Sequence, residues 1–158
     1  MSIVFESLGL RPQLVQAVTE LGYENATPIQ ERAIPALMQG RDVLGQAQTG
    51  TGKTAAFALP LLERLNFSER KVQGLILAPT RELAIQVTEA LFQYGKHLGI
   101  RLVTIYGGSS YTRQMKKLQE GVHVVVGTPG RVIDLINKGA LRLEAVEYLV
   151  LDEADEML

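Results

Sequence analysis

The spacing of apolar residues at the start of the chain differs from their spacing in the remainder. Apolar side chains recur at helical spacing within residues 10–21, and a second helical pattern starts at Thr27-Pro28 and stops before Gly40. From residue 42 onward, short apolar runs alternate with longer segments of helical spacing. The short runs predict strands at 43–44, 75–78, 102–106, 122–126 and 148–151, and the longer segments predict helices near 53–65, 80–98, 110–120 and 130–138.

The predicted strands are apolar along their length, with no regular alternation of apolar and polar positions. Strands that are buried on both faces and alternate with helices are typical of a parallel sheet. The sequence therefore predicts an α/β fold in which a parallel sheet carries helices on both faces. Gly99, Gly121 and Gly139 each follow a helical pattern and are expected to end it. The polar stretch 66–73 is expected to be the most mobile loop.

Composition narrows the class of protein without deciding its function. The 158 residues have the length of one domain, and their net charge of −1 shows no excess of basic residues that would indicate nucleic acid. No apolar run approaches the roughly 18 residues of a membrane helix, and no signal-peptide pattern is present. The absence of cysteine suits the cytoplasm. His97 and His123 lie on different segments, so we expect packed or solvated residues, not metal ligands.

A glycine-rich turn separates the predicted strand at 43–44 from the predicted helix at 53–65. Such a turn presents backbone N–H groups, and the following helix N-terminus favours a phosphate. Lys53 would contact the β- and γ-phosphates of a nucleotide, and the Thr54 hydroxyl would hold Mg²⁺. The alternative is a turn that binds nothing. The stretch is Ala47-Gln48-Thr49-Gly50-Thr51-Gly52-Lys53-Thr54, a Walker A pattern in which Ala47 replaces the usual first glycine.

Two acids follow the last predicted strand. Asp152 comes directly after the strand 148–151, at the edge where open α/β sheets bind ligands. In the Walker B role it would hold Mg²⁺. Glu153 could orient and deprotonate a water molecule, which favours an ATPase that hydrolyses its nucleotide. The alternative is an acidic first turn of a helix, which the presence of Lys53 and Thr54 makes the weaker interpretation.

These two stretches and four others resemble the DEAD-box family of ATP-dependent RNA helicases. The resemblance extends from Phe5 to the end of the chain. It implies that residues 1–158 form an N-terminal RecA-like P-loop NTPase domain, with a helical adenine-recognition segment over residues 1–40. The motifs are Thr27-Pro28-Ile29-Gln30, Ala47–Thr54, Pro79-Thr80-Arg81-Glu82-Leu83-Ala84, Gly107-Gly108, Thr128-Pro129-Gly130-Arg131 and Asp152-Glu153-Ala154-Asp155.

The resemblance implies ATP and Mg²⁺ as cofactors, with Lys53 and Glu153 as the catalytic residues. Gln30 would read the adenine edge, Tyr23 would pack against the adenine, and Phe5 would support that region. Gln30 also stands where a capping-box residue bonds the Thr27 backbone N–H, and the two roles could alternate between the empty and bound states.

RNA is the partner that the resemblance implies, through contacts to its sugar-phosphate backbone. Helix N-termini, threonine hydroxyls and two arginines would supply these contacts, so no basic patch is required. The alternative is that the segments are plain caps and turns. The expected RNA-binding residues are Pro79, Thr80, Arg81, Gly107, Gly108, Thr128, Pro129, Gly130 and Arg131.

The family continues past this point with a Ser-Ala-Thr motif on a further strand and a second RecA-like domain. Neither lies in the sequence, so we expect a sheet that is incomplete at the C-terminus, with an apolar slot, unpaired backbone groups and poor solubility. The predicted function is the ATP-binding half of a helicase that couples hydrolysis to RNA clamping and local unwinding. The alternative is a nucleotide- or RNA-binding module without turnover. Gln30 in its motif disfavours a DNA-directed P-loop ATPase.

Overall fold

A computed structural model describes residues 3–48, 50, 52–108 and 110–158. The predicted helices are all present, and four of the five predicted strands are found. Short 3₁₀ turns also occur at Phe5–Leu8, Lys96–Leu98 and Ala154–Met157. The α-helices are α1 (Pro12–Glu20), α2 (Pro28–Met38), α3 (Lys53–Arg64), α4 (Arg81–Gly95), α5 (Tyr111–Glu120) and α6 (Pro129–Asn137), and the strands are β1 (Gly74–Leu77), β2 (Leu102–Ile105), β3 (Val124–Gly127) and β4 (Tyr148–Leu151).

The four strands form one parallel sheet in the order β2-β3-β1-β4. In register, Leu75 of β1 lies between Val125 of β3 and Leu149 of β4, and Val125 also pairs with Val103 of β2. Parallel strands need crossover connections, and helices supply them between β1, β2 and β3. The α/β prediction with a parallel sheet is therefore confirmed.

The strand predicted at Val43–Leu44 is wrong. Residues 41–48 have no regular secondary structure, and the side chain of Leu44 is 95% exposed. A β-strand needs a neighbour for its backbone N–H and C=O groups. No described strand runs beside residues 43–44, and the sheet ends at β4. The apolar dipeptide alone is therefore insufficient to form a strand here.

The chain divides into two compact units, and the first comprises Met1–Arg64 and Ala90–Gly99. Its core is helical, with Leu14 and Val18 of α1, Ile34 of α2 and Leu59 of α3 fully buried. At the start of α1, the backbone N–H and guanidinium of Arg11 both bond the carboxylate of Glu63 on α3. No helix in the described part of the chain is long and apolar enough to cross a bilayer.

The second unit comprises Leu65–Glu89 and Ile100–Leu158 and contains the sheet. Its core cluster joins the sheet to α6, and Val132 and Leu135 of that helix are buried with Val103, Ile105 and Val125. Strand β3 lies between β2 and β1, and all four of its residues are buried. Their apolar character on both faces agrees with the pattern that predicted a parallel sheet.

The stretch 66–73, expected to be mobile, is closed on itself by hydrogen bonds. The Gln73 side-chain oxygen accepts from the Asn66 backbone N–H (2.8 Å), and its amide nitrogen donates to the Asn66 carbonyl (2.8 Å) and the Glu69 carbonyl (3.0 Å). The Asn66 side chain in turn accepts from the backbone and hydroxyl of Ser68. These bonds satisfy backbone groups that a loop would otherwise leave to water.

Candidate functional site

The glycine-rich turn leads into α3 as the sequence predicts. Gly50 and Gly52 have φ values of 85° and 81°, which glycine adopts without steric cost. Helix α3 begins at Lys53, and the Ala56 N–H donates to the Gly52 carbonyl over 3.2 Å. Lys53 and Thr54 are half-buried in the first turn, where helical N–H groups have no intrahelical acceptor.

The remaining residues of the turn are only partly described. Ala47 is half-buried and Gln48 is exposed. Thr49 and Thr51, which the sequence also assigns to nucleotide binding, lie outside the described residues. The described part of the turn is therefore a glycine-rich segment that joins the N-terminus of a 12-residue helix, a suitable arrangement for an anion.

Gln30 connects this turn to the start of α2. Its side chain is almost completely buried; its oxygen accepts from the Thr27 backbone N–H (2.9 Å), and its nitrogen donates to the Gly52 carbonyl (3.0 Å). The first contact is the one that the capping pattern predicts. A Cβ atom at Gly52 would lie 2.2 Å from the Gln30 amide nitrogen, so this close approach requires glycine. Sequence reasoning did not find the contact with Gly52.

Phe5 lies against Tyr23 in the first unit. The two rings are stacked with centroids 6.4 Å apart, and Phe5 is buried while Tyr23 is 40% exposed. The segment around Phe5 is held by a backbone bridge between Val4 and Asn25. Tyr94 packs on Tyr23 with a centroid distance of 6.3 Å. Burial raises the pKa of the Tyr94 phenol, and its hydrogen bond with Tyr23 adds to that rise.

The two acids after β4 occupy different environments. Asp152 is 5% exposed, and its backbone N–H continues the ladder with β1 by donating to Leu77 (2.9 Å). Glu153 is exposed and has φ 51° and ψ 51°, the left-handed conformation that L-residues rarely adopt. Of the described residues other than glycine, it alone has a positive φ. Backbone strain of this kind concentrates at functional positions.

The acids after β4 and the first turn of α3 each offer an oxygen donor of the kind that Mg²⁺ takes. Mg²⁺ in nucleotide sites takes one or two protein oxygen ligands and completes its shell with phosphates and water. Asp152 offers a buried carboxylate, and Thr54 offers a hydroxyl in the first turn of a helix. The described residues contain no group of three or more His, Cys, Asp or Glu side chains able to bind a metal by themselves. Binding of Mg²⁺ would therefore depend on the phosphates of a nucleotide to complete the coordination shell.

Three predicted RNA-binding segments follow adjacent strands of the sheet. Pro79 and Thr80 follow β1, Gly107 and Gly108 follow β2, and Thr128 follows β3. Since the strands are parallel and adjacent, the three segments lie at the same edge of the sheet. Thr80 caps α4 by accepting from the Leu83 N–H (3.2 Å), and α6 begins at Pro129, directly before Gly130 and Arg131.

The two predicted RNA-binding arginines each lie over a tyrosine ring. The Arg81 guanidinium is 4.8 Å from the centroid of Tyr106, and the Arg131 guanidinium is 5.4 Å from that of Tyr111. Sequence reasoning identified neither tyrosine. It also missed Gln114, which is 3% exposed and bonds Arg131. The helical spacing could have indicated that Gln114 is buried, because it lies on the same face of α5 as Tyr111 and Leu118.

The parallel sheet, the glycine-rich turn opening α3 and the acids after β4 define an α/β fold of the RecA-like class. Residues 27–158 match the family model described as DEAD/DEAH box helicase. The chain therefore belongs to the DEAD/DEAH box helicase family.

Known proteins of the family resemble the chain over nearly its whole length. It is 56% identical over 154 residues to the DEAD-box ATP-dependent RNA helicase CshA of Bacillus cereus, covering 98% of this chain and 29% of that protein. A crystal structure of a DEAD box protein from the hyperthermophile Methanococcus jannaschii superposes with a TM-score of 0.94 at 42% identity, covering 98% of this chain and 42% of that one. The structure of Dbp5 of S. cerevisiae bound to RNA and ADP BeF3 superposes with a TM-score of 0.90 at 39% identity. The match covers 98% of this chain and 39% of the Dbp5 chain. The chain thus spans less than a third of the length of the CshA protein.

Proposed function

We propose that the chain is the ATP-binding part of a DEAD-box RNA helicase that couples ATP hydrolysis to RNA clamping and local unwinding. The family match and the name of the CshA relative support ATP-dependent activity on RNA. Since the chain covers 29% of that relative, the activity belongs to a longer protein in which a second RecA-like domain is the partner of residues 1–158. A chain without cysteine suits the reducing cytoplasm, where we place it.

Nucleotide binding is assigned to the first unit. Lys53 contacts the β- and γ-phosphates, and residues 47–52 supply backbone N–H groups around them. Gln30 reads the adenine edge, and the exposed ring of Tyr23 packs on the base. Since both ends of the Gln30 amide are engaged in the described structure, adenine must displace or share these bonds. Nucleotide binding would then act directly on the carbonyl of Gly52.

Hydrolysis is assigned to the acid pair, and the observation that carries the proposal is an exposed Glu153 next to a buried Asp152 at the carboxyl end of β4. Asp152 and Thr54 would hold Mg²⁺, which neutralises negative charge on the phosphates when it is bound. Glu153 accepts a proton from the attacking water and orients it. The buried Asp152 has a fixed position, which suits a metal ligand, whereas the exposed Glu153 can contact a water molecule.

RNA binding is assigned to the sheet edge that carries Thr80, Gly107 and Thr128 with Arg81 and Arg131. Backbone N–H groups and two arginines are suited to phosphates, and such contacts position a strand without reading its sequence. The similarity to Dbp5, whose structure contains RNA and ADP BeF3, supports this assignment. Contacts from backbone N–H groups and two arginines also explain how a chain of net charge −1 can bind RNA.

Two substitutions in the full-length protein test the proposal. Lys53→Ala is expected to abolish ATP binding, measured by titration with a fluorescent ATP analogue. Glu153→Gln is expected to keep ATP and RNA binding while lowering the turnover number by roughly 100-fold or more, the usual contribution of a general base. Steady-state phosphate release in the presence of RNA measures the second effect.

Matched controls are available in exposed residues of the same types. Lys71→Ala and Glu156→Gln remove an exposed ammonium and an exposed carboxylate, and both variants should bind and hydrolyse ATP normally. Unchanged turnover in Glu153→Gln would remove Glu153 from the mechanism. Normal ATP affinity in Lys53→Ala would overturn the nucleotide site.

A further inference from the structure

Gln114 is a buried amide at the sheet edge assigned to RNA, and its hydrogen-bond partners include Tyr106 and Arg131. Its side-chain nitrogen donates to the Tyr106 carbonyl over 3.2 Å, and its oxygen accepts from Nη1 of Arg131 over 3.2 Å. Tyr106 directly precedes Gly107 and Gly108 in the chain. One side chain from α5 therefore contacts both the segment after β2 and the first turn of α6.

Arg131 is held from two directions by this arrangement. Gln114 accepts one of its guanidinium N–H groups, and the ring of Tyr111, one turn earlier on α5, lies 5.4 Å from the guanidinium carbon. The Tyr111 ring also contacts a second cationic side chain, because the Lys138 ammonium lies 4.3 Å from the ring centroid. A guanidinium with both a hydrogen-bond acceptor and an aromatic surface has fewer conformations to lose when it meets a phosphate.

We propose that Gln114 is a positioning residue for RNA binding, which orients Arg131. The inference rests on the proposed function, because it assumes that these segments contact RNA. Gln114 itself does not contact the RNA, since only 3% of its surface is exposed. Its effect on RNA affinity is indirect and passes through Arg131, while its bond to the Tyr106 carbonyl holds the Gln114 amide itself in place.

A plain structural role for Gln114 predicts a different behaviour. A buried amide that only satisfied its own hydrogen bonds would alter stability, and its removal would weaken RNA binding, if at all, independently of Arg131. A positioning role predicts coupling, because the benefit of holding the Arg131 guanidinium disappears once that guanidinium is removed. Double-mutant cycles separate the two cases, since residues in one network show non-additive effects.

The experiment measures affinity for a single-stranded oligouridylate in the full-length protein at several salt concentrations, with a non-hydrolysable ATP analogue present. Arg131→Ala should weaken binding and reduce the slope of log affinity against log salt by about 0.7, the share of one phosphate contact in a single strand. Gln114→Met should weaken binding by about threefold to tenfold, a typical coupling for contacting residues. The double variant should bind no more weakly than Arg131→Ala alone.

Gln119→Met provides the matched control, because Gln119 is an exposed glutamine on the same helix and should leave RNA affinity unchanged. If Gln114→Met is too unstable to purify, Gln114→Glu keeps the side-chain size and places a carboxylate beside Arg131. That carboxylate competes with phosphate for the guanidinium, so RNA affinity should fall, and the fall should disappear in the Arg131→Ala background.

The outcomes distinguish failure of this inference from failure of the proposed function. Weaker binding in Arg131→Ala with normal binding in the Gln114 variants overturns the role of Gln114 and leaves the RNA assignment in place. Additive losses in the double variant also overturn it, because they show a structural effect independent of Arg131. Normal RNA affinity in Arg131→Ala overturns both the assignment of Arg131 and the positioning role.

Discussion

Glu153 combines a strained backbone with an assigned catalytic role. Its left-handed conformation follows directly after β4, where Asp152 still continues the ladder with Leu77. A side chain with a Cβ atom disfavours this conformation, whereas asparagine tolerates it because its short polar side chain can bond locally. Backbone stability therefore does not explain the presence of a glutamate at this position. The chemical role that we propose for the carboxylate would supply a reason, in the way that strain is tolerated at active sites.

Glu153→Asn is expected to raise the free energy of unfolding by roughly 1 kcal/mol, because it relieves the left-handed strain. The same substitution should abolish RNA-stimulated hydrolysis, since the shorter amide cannot accept a proton. Denaturant unfolding and phosphate release measure the two effects. Glu156→Asn, three residues later and outside the left-handed region, is the control and should bring no gain in stability. A less stable Glu153→Asn protein would show that this conformation carries no cost.

At the scale of elements, His123 joins three segments of the second unit. Its Nδ1 accepts from the Arg101 backbone N–H (3.0 Å) at the start of β2, and its Nε2 donates to the Phe67 carbonyl (3.2 Å) in the closed turn 66–73. The Phe67 ring meets the imidazole edge-on with centroids 5.2 Å apart. The imidazole is 2% exposed, so it is a packed residue, one of the two environments that the sequence left open.

Burial lowers the pKa of His123 below its ordinary value of 6.5, with Arg101 and Arg70 adding to the effect and the Phe67 carbonyl opposing it. The unfolded chain therefore takes up a proton at a higher pH than the folded one. Stability from the neutral imidazole is complete above pH 6.5 and is lost as the pH falls through the folded pKa.

His123→Asn should cost about 1–3 kcal/mol at pH 7.5, because it breaks buried hydrogen bonds. It should also reduce the difference in unfolding free energy between pH 7.5 and pH 5.5, since the titrating group is gone. Guanidinium unfolding followed by circular dichroism at the two pH values tests this. If the unfolding free energy changes equally between the two pH values in the variant and in the parent protein, groups other than His123 cause the acid sensitivity.

At the scale of the molecule, β4 carries the large apolar side chains of the described sheet that are more than half exposed. Leu149 and Leu151 are 60% and 51% exposed, and β4 pairs on one side with β1 and on the other with no described strand. The apolar slot with unpaired backbone groups that the sequence predicts stays a prediction, and the exposed leucines of β4 are consistent with it. An apolar edge strand is a template for pairing with another chain.

The 158-residue chain is therefore expected to self-associate through β4. Leu149→Lys should raise, severalfold, the concentration at which light scattering first detects association, because an edge lysine opposes pairing. Ile133→Lys, at an α6 residue of similar exposure (55%), is the control and should change little. Equal suppression by both substitutions would show that general charge, and not the edge of β4, governs association.

Much of the fold and of the candidate site could be predicted because the relevant information is local. Helical spacing, the Thr27-Pro28 start and the glycine stops are properties of a few neighbouring residues, and each is found in the structure. The same holds for Gly52-Lys53-Thr54 at the start of α3, where the motif and the helix N-terminus coincide. Local patterns suffice for features that depend on local backbone conformation.

Only the tertiary structure decided which segments meet. The order β2-β3-β1-β4 places the segments after β1, β3 and β2 beside one another, although they are distant in the sequence. No described strand pairs with Val43–Leu44, and folding buries Gln114 between Tyr106 and Arg131. The physical reason is that strand pairing and the burial of a polar side chain depend on partners far along the chain, so residues 43–44 and 114 cannot specify them alone.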